Sequence, residues 1–242
     1  MPRTLTYFVS DVHLGLRVGD SAAREAAFVR FLAGIDPEKT SALYLLGDIW
    51  DFWYEYRDVV PRGYVDVLAA LRKLVAGGVE VYFFRGNHDI WTFGYFEELG
   101  LRVLEQPYEF TVGGRRFCVG HGDGLGPGMR GYKLLRGMFR NRLLQRLFSG
   151  LHPWLAFRLG EGWSRRSRLG KNLRYQFQGP TEPLYKFCEQ YPAPVDYFIF
   201  GHYHSEADVT VKGCGSLLLL GDWITRPNWL LWDTASNELH RF

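Results

Sequence analysis

Histidine and acidic side chains gather in five short clusters, each directly after a short apolar run. Five of the seven histidines lie in these clusters. Asp, His and Asn offer the mixed oxygen and nitrogen donors that suit Mn, Fe, Co or Zn better than Ca²⁺. The pattern indicates a metal site assembled from distant parts of the chain. The clusters are Asp11-x-His13, Gly47-Asp48-x-x-Asp51, Gly86-Asn87-His88-Asp89, Gly120-His121-Gly122-Asp123 and Gly201-His202-Tyr203-His204.

Each cluster taken alone has a simpler interpretation. Asp-x-His occurs by chance, Gly-Asp after a strand is often a turn, and Asn-His-Asp can cap a helix. The five clusters together favour a functional metal site, because histidines that only pack in a core would not gather beside Gly and Asp. Residues two apart in a strand face the same side, so Asp11 and His13 are expected to reach one ion, and His202 and His204 to share a face. The carboxylate of Asp48 can bridge two cations.

The apolar runs that precede the clusters predict the strands of an α/β protein whose site lies beyond their carboxyl ends. These runs cover residues 5–10, 42–46, 79–84, 116–119 and 197–200. Apolar periodicity predicts helices around residues 22–32 and over residues 64–76. Alternating residues after position 207 predict antiparallel strands. The glycines at positions 47, 86, 120 and 201 are expected to permit the sharp turns that aim the ligands.

The stretch from residue 125 to residue 189 interrupts the strands and has helical character. Between residues 125 and 175 there are twelve Lys or Arg and one acid, Glu161, although the whole chain carries only +3. We predict a core formed by residues 1–124 and 190–242 and a helical cap formed by residues 125–189.

The cap sequence interleaves arginines with Leu, Phe, Met and Trp, which leaves three interpretations open. Such a surface can meet anionic headgroups and lipid tails together. It also suits nucleic acid, or it is a solvated helix pair over an ordinary core. An apolar tunnel between cap and metal site would favour a lipid, and a broad basic groove would favour nucleic acid.

Composition sets the remaining expectations. Hydrophobic residues make up 47% of the chain, enough for a large core. The three cysteines are sparse and unclustered, which favours reduced thiols over disulfides or a zinc–cysteine site. The first residues do not read as a signal peptide, and the longest apolar runs are too short to span a bilayer. We therefore expect a cytoplasmic protein, free or resting on a membrane surface, with no obligate protein partner.

The five clusters, in this order over residues 11–204, resemble the calcineurin-like metallophosphoesterase superfamily. The resemblance implies a four-layer αββα sandwich of two mixed sheets flanked by helices, with the helical insertion as a lid. It also implies two divalent metal ions; Mn²⁺ is expected, and Fe, Co and Zn accept the same donors. The implied ligands are Asp11, His13, Asp48 and His204 for one ion, and Asp48, Asn87, His121 and His202 for the other.

The same resemblance assigns roles beside the ions. His88 would face the scissile phosphate and donate a proton or a hydrogen bond, and Asp89 would orient His88. A pair of cations lowers the pKa of a shared water and neutralises phosphate oxygens, so that the water attacks phosphorus in line with the leaving group.

Further sequence features are similar to the UDP-2,3-diacylglucosamine hydrolases of lipid A synthesis. They are Ser-Asp-Val-His-Leu-Gly near the start, Gly-Asp-Ile-Trp-Asp-Phe-Trp at residues 47–53, and a His-Gly-Asp followed by a basic insertion. Those enzymes split a UDP-linked diacyl sugar into UMP and 2,3-diacylglucosamine 1-phosphate. This chain carries His88 where the best-known branch has Arg, and related branches carry His. The residues predicted to bind substrate are Tyr132, Arg136, Arg165 and Arg166.

The resemblance implies a UDP-linked acylated glucosamine as substrate and the anionic inner-membrane surface as a contact of the basic insertion, with nucleic acid not expected. Two alternatives stay open. One is a hydrolase of another phosphodiester or phosphomonoester, such as a nucleotide. The other is a non-catalytic scaffold with the same fold, although scaffolds of this kind usually lose ligands and here every expected position is occupied.

Overall fold

The computed structural model describes residues 2–169 and 175–242, and within them it leaves the side chains of residues 161 and 164–169 undescribed. Its strands are Leu5–Val9 (β1), Thr40–Leu45 (β2), Glu80–Phe84 (β3), Arg102–Leu104 (β4), Tyr108–Val112 (β5), Arg115–Gly120 (β6), Tyr197–Phe200 (β7), Ala207–Thr210 (β8), Ser216–Leu219 (β9), Leu230–Asp233 (β10) and Glu238–Arg241 (β11). Its helices are Ser21–Gly34 (α1), Val65–Ala76 (α2), Tyr95–Glu98 (α3), Arg130–Arg140 (α4), Arg142–Ser149 (α5), Pro153–Leu169 (α6) and Pro183–Glu189 (α7), and a 3₁₀ turn covers Gly179–Thr181.

In this part of the chain the strands form two mixed sheets. One has the order β11-β10-β1-β2-β3-β4, in which β1 to β4 are parallel and β10 and β11 are antiparallel. The other has the order β5-β6-β7-β9-β8, with β6, β7 and β9 parallel. The carboxyl ends of β1, β2 and β3 share one edge of the first sheet, and those of β6, β7 and β9 share one edge of the second.

Three apolar layers hold the sheets and helices together. Side chains of α1 and α2, such as Phe28 and Leu71, pack on one face of the first sheet. The opposite face of that sheet packs on the second sheet through a stack of rings that includes Phe8, Tyr44 and Phe117. α7 covers the outer face of the second sheet. The order helix, sheet, sheet, helix confirms the predicted four-layer αββα sandwich.

The described residues of the predicted cap region form four α-helices that differ in their packing. α7 buries Leu184, Tyr185 and Cys188 against the second sheet. In contrast, α4 and α5 contain no buried residue, and several of their large apolar side chains are exposed. We call α4, α5 and α6 the lid. The division into a core and a cap of residues 125–189 stays a prediction.

Three elements were not predicted from the sequence: α3, β4 and β5. β4 has only three residues, too few to be recognised as a strand. β5, with the sequence Tyr-Glu-Phe-Thr-Val, does alternate apolar and polar residues, and this strand signal was overlooked. None of the helices in the described ranges combines the length and apolar character needed to cross a bilayer.

Candidate dinuclear metal centre

The loops after β1, β2, β6 and β7 meet at one point, where backbone hydrogen bonds join them. The N–H groups of Asp11 and His13 donate to the carbonyl oxygens of Gly47 and Asp48, at 3.1 and 3.0 Å. These bonds fix the first cluster against the second. The strand ends therefore bring together clusters that lie far apart in sequence, as the sequence predicts.

A first group of donors is formed by Asp11, His13, Asp48 and His204, whose ligand atoms all lie within 4.8 Å of one another. His204 Nε2 lies 3.4 Å from Asp11 Oδ1, and His13 Nε2 lies 3.8 Å from Asp48 Oδ2. The two imidazole Nε2 atoms of His13 and His204 are 3.2 Å apart. Both aspartates are fully buried. These are the four residues that the resemblance assigns to one ion.

A second group adjoins the first through Asp48. His121 Nε2 lies 3.4 Å from Asp48 Oδ2 and 3.3 Å from Asn87 Oδ1. The ring of His202 lies beside that of His121, with centroids 5.1 Å apart. Asp48 Oδ2 is therefore within 4 Å of an imidazole nitrogen from each group, which suits a bridging carboxylate. The assignment of each ligand to one ion stays a prediction.

In three of the histidines, Nδ1 contacts a neighbouring oxygen, which leaves Nε2 directed into the site. The Nδ1 atom of His121 lies 2.9 Å from the carbonyl oxygen of Leu46, which can only accept, so Nδ1 carries the hydrogen. Nδ1 of His204 lies 3.2 Å from Asp222 Oδ2, and Nδ1 of His13 lies 3.5 Å from Asp51 Oδ1. An outer hydrogen-bond partner of this kind is the usual support of a metal-ligating histidine.

The backbone of the ligands differs from the expected strand geometry. β1 ends at Val9, and Asp11 and His13 follow it with φ of 52° and 50°, in the left-handed region. Asp48, His202 and His204 have φ of 52°, 69° and 52°. The strand argument for shared faces was therefore wrong, because turns and not alternation orient these side chains. Non-glycine residues in this region cost about 1 kcal/mol or more each and gather at functional sites.

Two glycines of the clusters act through close approach. Neither Gly86 nor Gly201 has a positive φ. A Cβ atom on Gly86 would lie 2.1 Å from Asp48 Oδ1, and one on Gly201 would lie 2.3 Å from Asp11 Oδ2. At these two positions the expectation of a sharp turn was wrong, since the absent side chain makes room for a ligand carboxylate.

The electrostatics of the centre fit divalent cations. Burial would raise the pKa of Asp48, but the neighbouring His121, His88 and His13 outweigh burial and hold this pKa well below its ordinary value. Asp11 also stays ionised, since its histidine neighbours outweigh its burial and lower its pKa to about 2. Buried carboxylates facing several Nε2 atoms provide the oxygen and nitrogen donors that Mn, Fe, Co and Zn accept. The residues present therefore fit two divalent cations.

Cation uptake is expected to release about one proton near neutral pH. Burial lowers the pKa of His121, but the carboxylates of Asp48 and Asp11 outweigh burial and raise it to about 10. The metal-free ring is thus protonated at neutral pH, and a ligand must be neutral, so cation affinity should rise with pH until that pKa. Titration calorimetry with Mn²⁺ in two buffers of different ionisation enthalpy measures the proton count. Equal binding enthalpies in both buffers would contradict the expectation.

His88 stands beside the centre, and Asp51 rather than Asp89 contacts its ring. His88 Nδ1 lies 3.0 Å from the carbonyl oxygen of Asp51, and Nε2 lies 4.0 Å from Asp48 Oδ2. The Asp89 carboxylate accepts backbone N–H groups at 2.8–3.3 Å. The donors are Gly86, Asp48, Ile49 and Trp50. Asp89 thus braces the loops that carry Asp48 and His88, and a direct orienting contact comes from Asp51.

The predicted substrate contacts in α4 are joined to the loop after His121. Tyr132 donates its hydroxyl hydrogen to Asp123 Oδ2 at 3.0 Å, and Arg136 Nε lies 2.9 Å from the same oxygen. Asp123 is fully buried. These side chains attach the lid to the loop that follows His121. The side chains of Arg165 and Arg166 lie outside the described residues.

Asp222 is a site residue that was not predicted. It contacts His204 through Oδ2 and accepts the N–H of Thr225 at 2.7 Å through Oδ1. Burial raises its pKa, but His204 outweighs burial and lowers it. Its sequence signal is a Gly-Asp pair, Gly221-Asp222, after the apolar run of β9, the same signal that marks Asp48.

A cavity of about 330 Å³ lies between the lid and the centre. One part of its wall comes from Asp51, Asn87 and His88. The rest is largely apolar and is formed by Phe52, Trp91, Met138, Phe139, Leu144, Gln145, Phe148, Leu159, Gly160 and Trp163. The lid rests on the core here, where Tyr54 donates to the carbonyl oxygen of Gln145 at 2.8 Å and Trp91 Nε1 donates to that of Phe139 at 3.1 Å.

The chain is similar to a protein family and to several named proteins. The family model described as calcineurin-like phosphoesterase matches residues 5–206. The chain is 34% identical to a UDP-2,3-diacylglucosamine hydrolase of Porphyromonas gingivalis, over 96% of this chain and 95% of that protein. It is 35% identical to one of Edwardsiella ictaluri, over 97% and 90%. The solved phosphoesterase YfcE of E. coli aligns over 98% of both chains with a TM-score of 0.46 and 15% identity. Because the family model covers most of the chain and these relatives match it nearly end to end, the chain belongs to the calcineurin-like phosphoesterase family and is a metal-dependent hydrolase.

Proposed function

We propose that the chain hydrolyses the pyrophosphate of UDP-2,3-diacylglucosamine, releasing UMP and 2,3-diacylglucosamine 1-phosphate. The observation that carries this proposal is the apolar cavity beside the centre, because a phosphate attached to acyl chains needs such a space within reach of the cations. The names of the relatives support the same substrate. The apolar walls favour a lipid over nucleic acid, which would need a basic groove with stacking platforms.

A bound pair of cations would supply Lewis-acid activation of a water and neutralise charge on the phosphate. Asp11, Asp48 and the histidines around them would hold it. Nδ1 of His88 donates to the carbonyl oxygen of Asp51, so Nε2 can donate only when the ring is protonated. The carboxylates of Asp48 and Asp51 lie 4.0 and 3.8 Å from the ring nitrogens Nε2 and Nδ1. His88 would then donate from Nε2 to the phosphoryl or leaving oxygen.

The test is a product assay with Mn²⁺-loaded protein and UDP-2,3-diacylglucosamine in detergent micelles. We expect equimolar UMP and diacylglucosamine 1-phosphate, separated by chromatography. Parallel reactions with cyclic nucleotides, dinucleotides and bis(p-nitrophenyl) phosphate examine the alternative of another phosphoesterase. Turnover of these compounds with the lipid nucleotide left intact would refute the proposed substrate and leave the family assignment standing.

We also propose that the lid rests on an anionic membrane surface. Large apolar side chains on the lid, including Leu147 and Trp154, are more than 60% exposed, and arginines lie among them. Apolar groups that enter a lipid interface beside cations bind such surfaces. The double variant Leu147→Ser and Trp154→Ser should sediment several-fold less with phosphatidylglycerol vesicles than the wild type. The variant Val65→Ser, which removes an exposed apolar side chain of α2, is the control. Equal sedimentation of all three proteins would contradict lid-mediated binding.

A further inference from the structure

A second cavity reaches the metal centre from the side of His204. This polar cleft has a volume of about 310 Å³ and is lined by His204, Glu206, Gly221, Asp222, Thr225 and Arg226. The buried ring of His13 lies between His88, in the wall of the apolar cavity, and His204, in the wall of the polar cleft. The ring centroids are 5.1 and 4.9 Å apart, respectively. Each cavity therefore reaches a histidine whose ring contacts the ring of His13.

The chemistry of the cleft is opposite to that of the apolar cavity. Five of its six lining residues carry a polar or charged side chain, and no large apolar side chain lines it. Glu206 Oε2 lies 2.6 Å from an Nη of Arg226, and the Arg226 side chain is 60% exposed. A guanidinium has five N–H donors, so donors beyond this ion pair can reach a ligand. The cleft thus presents an acceptor and a cation in a fixed arrangement next to a candidate metal ligand.

We propose that this cleft binds the nucleoside half of the substrate, with Glu206 accepting hydrogen bonds from the ribose hydroxyls. This inference rests on the proposed function, since a lipid-linked nucleotide has one apolar and one polar half. With its phosphates on the cations and its acyl chains in the apolar cavity, the polar half would lie in the cleft beside His204. Carboxylates commonly accept from ribose hydroxyls, and Arg binds phosphate oxygens through several donors. Arg226 holds Glu206 in place and donates to the phosphate that carries the nucleoside.

The experiment measures UMP binding directly, without turnover. Titration calorimetry of Mn²⁺-loaded protein with UMP should give a Kd about tenfold higher for Glu206→Ala and for Arg226→Ala than for the wild type, as expected for loss of a hydrogen bond to a charged group. Arg102→Ala is the matched control, because Arg102 forms an exposed ion pair with Glu80 and its side chain is 62% exposed. Hydrolysis of bis(p-nitrophenyl) phosphate, which has no nucleoside, should be unchanged in the Arg102 variant.

The outcomes separate this inference from the proposed function. If the wild type hydrolyses UDP-2,3-diacylglucosamine but neither variant changes the Kd of UMP, or if the wild type does not bind UMP, the assignment of the cleft is overturned and the proposed function stands. If the wild type leaves UDP-2,3-diacylglucosamine intact, the proposed function fails. Weaker UMP binding in both variants would in that case still place a nucleotide in the cleft.

Discussion

Replacing Asp48 with asparagine is expected to lower hydrolysis about 10³-fold and to leave fewer than two cations bound per chain. The carboxylate of Asp48 lies between the two donor groups, with Oδ2 at 3.8 Å from His13 Nε2 and 3.4 Å from His121 Nε2. Asparagine keeps an oxygen for the N–H of His88, which Oδ1 accepts at 2.9 Å. It replaces the other oxygen by an NH₂ group, which cannot bind a cation. Loss of cation stabilisation worth about 4 kcal/mol corresponds to that rate change.

The measurement combines steady-state hydrolysis with the metal content of the dialysed protein, determined by mass spectrometry. Asp58→Asn is the matched control, because Asp58 is an aspartate on the surface with 85% of its side chain exposed. It should retain both ions and the full rate. Two tightly bound ions and near-normal hydrolysis in the Asp48 variant would show that the bridging assignment is wrong.

Filling the apolar cavity is expected to slow hydrolysis of the lipid substrate and to leave hydrolysis of small substrates unchanged. Leu144 lines the cavity, whereas its neighbour Leu143 points away from it and is 65% exposed. Leu144→Trp should lower kcat/KM for UDP-2,3-diacylglucosamine roughly 10- to 100-fold, because crowding in an apolar cavity costs about 1–3 kcal/mol. The same variant should hydrolyse bis(p-nitrophenyl) phosphate at the normal rate, since that compound needs no acyl space.

The control for this prediction is Leu143→Trp, which adds the same ring one residue away and outside the cavity. It should leave both substrates unaffected in a micellar assay. An equal loss in both variants would point to a general disturbance of the lid. A loss on the small substrate equal to that on the lipid would mean that Leu144 acts on the centre and not on acyl binding.

The metal-binding clusters could be found from the sequence because each follows a buried strand, and strand ends meet wherever the sheets form. This argument needs only apolar runs and the residues after them, so Asp11, Asp48, His121 and His204 were predicted without any knowledge of their contacts. The left-handed backbone of these residues could not be predicted, since it depends on hydrogen bonds between loops from different strands.

Contacts between residues far apart in the chain could not be predicted from the sequence either. The Asp51 carbonyl oxygen contacts His88 only because of how two loops pack, and Asp222 follows β9, a strand of the second sheet that carries no histidine. The lid was predicted as helical and basic, but its seat on Asp123 follows from tertiary structure. β4 could not be predicted because its three residues become a strand only through pairing with β3, whereas the alternating residues of β5 did indicate a strand.

The attachment of α4 to Asp123 restricts how a bulky substrate can enter. Tyr132 and Arg136 both contact the fully buried carboxylate of Asp123, two residues from His121. Moving α4 away from the core would leave the charge of Asp123 without a partner and would disturb the candidate metal ligand His121. We therefore expect α4 to keep its position when substrate enters. The described residues of α5 and α6 contact the core through aromatic rings and a hydrogen bond from Tyr54 to a carbonyl oxygen, so we expect these two helices to move outward. Acyl chains would then enter the apolar cavity between the core and helices α5 and α6, and not from the side of the cations.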